Sequence, residues 1–151
     1  MGETPTPWAI LEVVQARLRI LRKAGGYRTD AGRDVRLEPA PFDPGDAARI
    51  TLYPLTMLYP EDARSAGERE FTFVVEALVP VRIDNAQQRI VETIADIEDA
   101  LDGFVQAPLA LPVQFQESML LDRPDGVAAM AAQVLFGTRY RRGKMLPLSF
   151  P

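Results

Sequence analysis

The sequence contains no cysteine and no histidine. Without cysteine, the chain has no disulfide bond, no thiolate nucleophile and no cysteine-bound metal. Without histidine, it lacks the usual general base near neutral pH and the commonest metal ligand. Ser-His-Asp triads, Cys-His dyads and the common zinc sites are therefore excluded, and only carboxylate, lysine or tyrosine chemistry remains.

Long apolar runs are missing as well. Residues 1–12 show no basic segment followed by an apolar run, and no stretch approaches the roughly 18 uninterrupted apolar residues that a membrane span needs. We therefore expect no membrane partner and a protein that works in the cytoplasm. The 151 residues are the length of one ordinary domain. We predict a single domain over 1–151 with an apolar C-terminal tail at about 143–151.

The charges are unevenly distributed along the chain. The net charge is −4 and the pI is about 4.9, so a general affinity for nucleic acid is not expected. Residues 1–36 carry seven basic and four acidic side chains, whereas residues 84–102 carry six acids and one arginine. Charged residues grouped in this way most often form ordinary solvent-exposed surface. The alternative is that complementary faces meet between copies of the protein.

An amphipathic helix is predicted from Pro7 to Ala24. Thr6 is placed to cap its first turn, and Gly25-Gly26 is placed to end it. Its apolar positions fall on one helical face: Ile10, Leu11, Val14, Leu18 and Leu21.

Strands are predicted next at Val35–Glu38 and at Ala48–Tyr53. We interpret Leu55–Arg69 as a long hairpin loop whose exposed apolar tip is Met57, Leu58 and Tyr59. The alternative is a folded-back loop whose aromatic residue completes the core.

A long strand is predicted from Glu70 to Ile83, because apolar residues alternate clearly there. Both faces are apolar in its middle, so we expect something to cover each side. Pro80 cannot donate a ladder hydrogen bond, which places this end at a sheet edge or a bulge.

The second helix is predicted from Ala86 to Asp102, with isoleucine and leucine on a narrow stripe. Asp99 and Asp102 lie near the negative end of its dipole, which predicts either a basic neighbour outside the chain or simple solvation. Four acids crowd its remaining surface: Glu92, Asp96, Asp99 and Asp102. Asp96, Asp99 and Asp102 are spaced three apart, which also suits a hydrated magnesium ion, but acids at that spacing are usually just solvent-exposed surface.

Two final strands are predicted at Val113–Leu121 and Val127–Arg141, joined by a tight turn at 123–126. Helix, strands, helix and hairpin together predict an α+β fold with a mostly antiparallel sheet and two helices. Arg139, Arg141 and Arg142 cluster near the end of the last strand. One interpretation is that these arginines bind phosphate or DNA. The other, which is favoured, is that they face water or the acidic residues of a partner.

The motifs for small-ligand chemistry are absent too. The sequence has neither a glycine-rich phosphate loop nor a calcium-binding loop. We therefore expect a protein that is not an enzyme and that has no cofactor, metal or catalytic residue.

The whole chain resembles the tail terminator proteins of long-tailed bacteriophages, also called tail completion or minor tail proteins. The resemblance lies in the layout and in four local features: the opening helix followed by Ala24-Gly25-Gly26-Tyr27, the strand Phe71–Val81, the helix Ile90–Leu101 and the closing strand Val134–Arg141. None of these features is a signature motif of the family.

The resemblance implies a homo-oligomeric ring, typically a hexamer, at the head-proximal end of the tail of a virion. Such a ring contacts the tail tube protein, stops tube polymerisation and offers a joining surface to a head-completion or neck protein, while DNA passes through its lumen. We hypothesise that the acids Glu92, Asp96, Asp99 and Asp102 line that lumen. The candidate subunit and partner contacts are Met57, Leu58, Tyr59, Arg17, Arg19, Arg22, Arg139, Tyr140, Arg141 and Arg142.

Three alternatives remain open. In the first, the protein is a head-closure or neck subunit of the same virion, which would also form a ring. A small-ligand-binding or carboxylate-using enzymatic domain predicts a monomer with a concave acidic site. A nucleic-acid-binding module built on the first helix predicts salt-sensitive DNA retention.

Overall fold

The computed structural model describes residues 3–121 and 128–142, which form a five-stranded sheet and two α-helices. In chain order the elements are α1 (Thr6–Leu18), β1 (Val35–Arg36), β2 (Arg49–Leu58), β3 (Glu68–Pro80), α2 (Ala86–Leu101), β4 (Gln114–Leu120) and β5 (Ala129–Arg141), with short 3-10 helices at Lys23–Gly25 and Ala31–Arg33. The strand order is β1-β2-β3-β5-β4, and only the β1–β2 pair is parallel. The predicted α+β class is confirmed. The predicted turn at 123–126 and the tail at 143–151 lie outside the described residues.

The predicted apolar face of α1 is confirmed, but its predicted ends are wrong. The five apolar residues predicted for this face are buried, but Leu21 lies beyond the helix, which stops at Leu18 and has Pro5 as its N-cap. The reason is that the backbone at Gly32 packs against the end of α1, where the Gly32 amide donates to the Leu21 carbonyl at 2.9 Å. Gly26, with φ of 95°, ends a 3-10 helix instead.

The predicted boundary between β2 and its loop is also wrong, because β2 continues to Leu58. A bulge between Pro54 and Thr56 shifts the register, so the strict alternation that identifies a strand is broken there. The connecting loop is therefore shorter than predicted and runs from 59 to 67.

Pro80 does not mark a sheet edge. Its strand β3 lies between β2 and β5, and Pro80 is its last residue, paired with Ala129. A proline at the end of a strand interrupts no interior hydrogen bond, because the next amide, that of Val81, continues to the Ala128 carbonyl at 3.0 Å.

Both helices pack on one face of the sheet. α1 contacts β1 and β2, while α2 contacts β3, β5 and β4. Beneath them Phe73 lies between Phe71 and Phe136, with ring centroids 5.5 and 5.9 Å away. The core is therefore one helix-covered layer, and no helix among the described residues covers the opposite face. On that opposite face Thr72 and Val74 of β3 are nevertheless buried, so the prediction that both sides of the middle of β3 are covered is confirmed.

In the part of the chain that the structure describes, neither helix is long and apolar enough to cross a membrane.

Candidate assembly surfaces

The end of β2 carries an exposed apolar tip, which we define as Leu55, Met57, Leu58 and Tyr59. Tyr59 is 56% exposed and stacks against the Arg69 guanidinium, 5.8 Å from the ring centroid. The alternative in which this aromatic residue completes the core is therefore wrong. Leu55, Met57 and Leu58 lie in β2, and Tyr59 begins the loop that follows it.

Asp96 is the most completely engaged carboxylate of α2. It is 0% exposed, and each of its oxygens accepts two hydrogen bonds. Oδ1 accepts from the Arg28 amide at 3.1 Å and the Arg28 guanidinium at 3.0 Å. Oδ2 accepts from the Thr29 amide at 2.9 Å and the Thr29 hydroxyl at 2.8 Å. The prediction that Asp96 belongs to an exposed acidic face is wrong, because it fastens the segment after α1 to α2.

The acids near the C-terminal end of α2 have basic neighbours within the same chain. Asp99, 57% exposed, lies 2.7 Å from the Arg28 guanidinium, and this pairing raises the pKa of Arg28. The Arg17 Nε donates to the Ala100 carbonyl at 3.0 Å, and its guanidinium lies 5.2 Å from the centre of the Phe104 ring. These two cations offset the unfavourable end of the helix dipole, so no outside base is needed for that purpose.

The remaining two predicted lumen acids have local partners. Asp102 is exposed and accepts from the Phe115 amide of β4 at 3.0 Å. Glu92 is partly exposed and lies 3.3 Å from the Gln88 amide nitrogen and 3.7 Å from Arg89. Within residues 3–121 and 128–142, no group of three potential ligands is placed to hold a metal ion.

The three predicted arginines of the first helical segment separate into two roles. Arg17 is committed to α2, as described above, and is not a free interface residue. Arg19 and Arg22 are exposed. Arg19 follows Gln15 by about one turn, and the Gln15 amide donates to the Val35 carbonyl of β1 at 2.8 Å. Arg19 therefore lies on the side of α1 that faces the β1 edge of the sheet.

The predicted cluster at the end of β5 is also divided. Arg139 contacts three carboxylates of its own chain, Asp62 at 2.7 Å, Glu68 at 3.2 Å and Glu70 at 3.3 Å. The hydrogen bond from Arg139 holds the pKa of Asp62 below its usual value. An arginine so fully neutralised is a poor phosphate ligand, which rules against the phosphate or DNA reading for this residue.

The other members of that cluster point in different directions. Tyr140 is buried in the core, and burial raises the pKa of its hydroxyl. Its predicted role as an exposed contact is therefore wrong, whereas Arg141 and Arg142 are exposed.

A cleft of about 610 Å³ beside Arg139 was not predicted from the sequence. One wall is the segment 107–111, whose exposed Leu111 donates its amide to the Arg139 carbonyl at 2.9 Å. The Thr138 hydroxyl and the Gln106 amide both donate to the Leu111 carbonyl, at 2.7 and 3.0 Å. In the sequence, this wall is marked only by the prolines at 108 and 112, which indicate a loop but not where the loop packs.

No protein-family model matches the sequence, and the comparison with curated proteins gave no match. A chain from the virion of a native gene transfer agent particle is 16% identical, with a TM-score of 0.58, over 84% of this chain and 93% of that chain. The fold is shared with a virion protein. A second solved chain is 12% identical over 91% of this chain and 97% of that one, but its TM-score of 0.48 is too low to carry an argument. At this identity the first likeness shows the fold alone.

Proposed function

We propose that this protein is a structural subunit of a phage-type virion and, within the virion, the tail terminator. The observation that carries the virion role is the fold shared with the gene transfer agent chain over most of both chains. The narrower role is supported by the resemblance of the layout to tail terminators. In this proposal a hexameric ring caps the head-proximal end of the tail tube, stops its growth and joins a head-completion protein.

Two surfaces have the properties that this role requires. The apolar tip presents four exposed side chains at the end of a strand, a surface suited to burial against the tail tube protein. Glu92, Asp99 and Asp102 keep exposed carboxylate, so they remain the proposed lumen acids, where like charge would let DNA pass without being held. Asp96 leaves that set because it is buried.

The experiment is to mix the purified protein with tail tubes from the same source and image the tube ends by electron microscopy. Rings on one end of each tube, together with blocked growth when tube protein is added, are expected. Uncapped tubes that continue to grow would contradict the terminator role.

A matched pair of variants tests the apolar tip in the same assay. Tyr59→Ser removes an exposed contact and should leave the free energy of unfolding within about 1 kcal/mol, because it loses only the exposed stacking with Arg69. It should nevertheless weaken capping. Val105→Ser, at a position that is 66% exposed elsewhere on the surface, is the control and should cap normally. Equal capping by both variants would exclude the tip as the tube contact.

A head-closure or neck subunit is the second candidate, because the shared fold is compatible with other positions in a virion. It predicts binding to the capsid portal rather than to tail tubes. The ligand-binding alternative is less well supported, because the acids of the 610 Å³ cleft are paired with Arg139.

A further inference from the structure

A groove runs along the last residues of β5, beside the point where the chain leaves the sheet. It consists of the cleft of about 610 Å³ and of a second cleft of about 460 Å³. Leu111 and Arg139 line both clefts, and the second one continues over Gly137 of the sheet. The Gln116 side chain lies so close to Gly137 that a Cβ at this position would collide with it. We call the two clefts together the β5 groove.

One wall of the β5 groove is apolar and is held in place by hydrogen bonds. This wall is the segment 107–112, in which Leu109 is partly buried against the core and Leu111 is 59% exposed. The Leu109 amide donates to the Gln106 carbonyl at 3.0 Å, and the bonds from Gln106 and Thr138 to the Leu111 carbonyl fix the other end. The groove is therefore formed before anything enters it.

The polar groups of the groove are already used within the chain. Arg139 contacts three carboxylates, as described above. β5 has neighbours on both sides at this point, because Arg139 pairs with Glu70 of β3 and its carbonyl accepts from the Leu111 amide. An occupant cannot join the sheet here as a further strand. It is instead held by apolar side chains against the wall.

The chain itself supplies an apolar occupant directly after β5. The Arg142 amide donates to the Gly67 carbonyl at 2.6 Å, which fixes the last described residue beside Arg141, and Arg141 lines the groove. Residues 143–151 follow and carry a single charge, on Lys144. Their large apolar side chains are Met145, Leu146, Leu148 and Phe150.

The length and the composition of this segment suit the groove. Its nine residues extend to at most about 30 Å, whereas the strand from Arg141 back to Gly137 covers about 13 Å. Gly143 accepts the backbone conformations that a reversal of direction requires. Pro147 lacks an amide hydrogen, which agrees with a segment held by side chains rather than by strand pairing.

We propose that residues 143–151 dock in the β5 groove of their own chain, with their apolar side chains against the 107–112 wall. Attachment beside the groove gives the segment an effective concentration on the order of millimolar, which favours its own chain over a neighbouring copy. Docking also removes four large apolar side chains from water. The groove is then filled within each subunit, so a partner of the subunit has to use other surfaces.

Chymotrypsin, which cleaves after large apolar residues, tests the docking. Cleavage within residues 143–151 of the intact protein, followed by mass spectrometry, should be at least about tenfold slower than cleavage of a synthetic peptide of the same sequence. Leu111→Ser should raise the rate severalfold, because it removes an apolar contact from the wall. Cleavage as fast as that of the peptide, or a rate that ignores Leu111→Ser, would overturn the proposal.

Dilution distinguishes the chain's own groove from that of another copy. The protection should not change when the protein is diluted about a hundredfold, because the tether fixes the effective concentration. Protection that disappears on dilution would show that the segment binds a neighbouring copy, which also overturns the proposal.

A double-mutant cycle tests which wall the segment contacts. Leu111→Ser and Leu148→Ser should each lower Tm by about 2–4 °C, and the double variant should fall little further, since both changes remove the same contact. Additive shifts in Tm would place Leu148 away from Leu111.

Val91→Ser is the matched control in both assays, because Val91 is 52% exposed and lies beyond the reach of the segment. Its neighbour Ile90 packs against Ala132, which is nine residues, or about 30 Å, along β5 from Arg141. Leu148 extends at most about 20 Å from Arg142. Val91→Ser should therefore leave the cleavage rate unchanged, and its effect on Tm should add to that of Leu148→Ser.

The inference does not depend on the proposed function, and the two fail separately. A protected segment in a protein that does not cap tubes supports the docking and contradicts the terminator role. A freely cleaved segment in a protein that caps tubes overturns the docking alone.

Discussion

Replacing Asp96 with asparagine tests whether a single buried carboxylate joins the two halves of the helical layer. The substitution preserves shape but exchanges one acceptor oxygen for an NH₂ group. In either orientation of the amide, that group faces a backbone amide that now donates to the carboxylate, that of Arg28 or of Thr29. One buried donor therefore loses its acceptor, and the remaining hydrogen bonds lose their charge assistance.

The expected loss is about 3 kcal/mol. A hydrogen bond to a charged group contributes roughly 1.5–3 kcal/mol, and a buried donor left unpaired costs about 1–3 kcal/mol. The ion pair itself adds little, because the Arg28 side chain is half exposed. In a domain of this length about 3 kcal/mol lowers Tm by roughly 6–12 °C.

Asp99→Asn is the matched control, because Asp99 pairs with the same guanidinium at 2.7 Å but is exposed. It should cost less than about 1 kcal/mol. Urea and thermal unfolding followed by circular dichroism measure both variants. If Asp96→Asn is no less stable than Asp99→Asn, the assignment of Asp96 as the fastening residue is refuted.

Three further perturbations address the rest of the fold. Gly32→Ala should destabilise by about 1–3 kcal/mol in urea unfolding, because its Cβ would lie 2.6 Å from the Leu18 carbonyl oxygen, whereas Gly45→Ala has open space and should stay within about 0.5 kcal/mol. Phe73→Ala, between two aromatic rings, should cost about 3–5 kcal/mol by the same measurement, and a loss below 1 kcal/mol would contradict its place in the core. The pKa of Asp62 is lowered in the folded state, so its contribution to stability is present above the ordinary value of 3.8 and is lost as pH falls through the folded-state pKa. In Asp62→Asn, the unfolding midpoint should therefore change less between about pH 5 and pH 2 than it does in the original protein.

The fold was largely predictable because its apolar periodicities are strong. The stripe of α1, the alternation of β3 and the stripe of α2 each identify an element and its buried face. The errors lie where local signals compete with packing. The bulge at Leu55 breaks the alternation of β2, so the second half of the strand is not recognised from the sequence. The backbone of Gly32 packs closely against the end of α1, and the helix therefore ends before Gly25-Gly26, where the sequence predicts its end.

The charged surfaces were less predictable, because a sequence does not show which charges are used internally. Asp96 and Arg28 are 68 positions apart, and Arg139 lies 77 positions from Asp62. No periodicity links residues at such separations. Composition indicates that an acidic helix and a basic segment exist, but only the packed structure shows which members remain exposed.

That sorting limits which charges are available for contact between copies of the chain. Arg17 and Arg28 are turned inward to α2, where they hold the two helices together at the end of the dipole that favours cations. After these internal pairs are set aside, Arg19, Arg22 and Lys23 remain exposed, as do the carboxylates of Asp99 and Asp102. If copies of the chain meet through complementary charge, these exposed residues are the ones able to take part, because Arg17 and Arg28 are already engaged with α2.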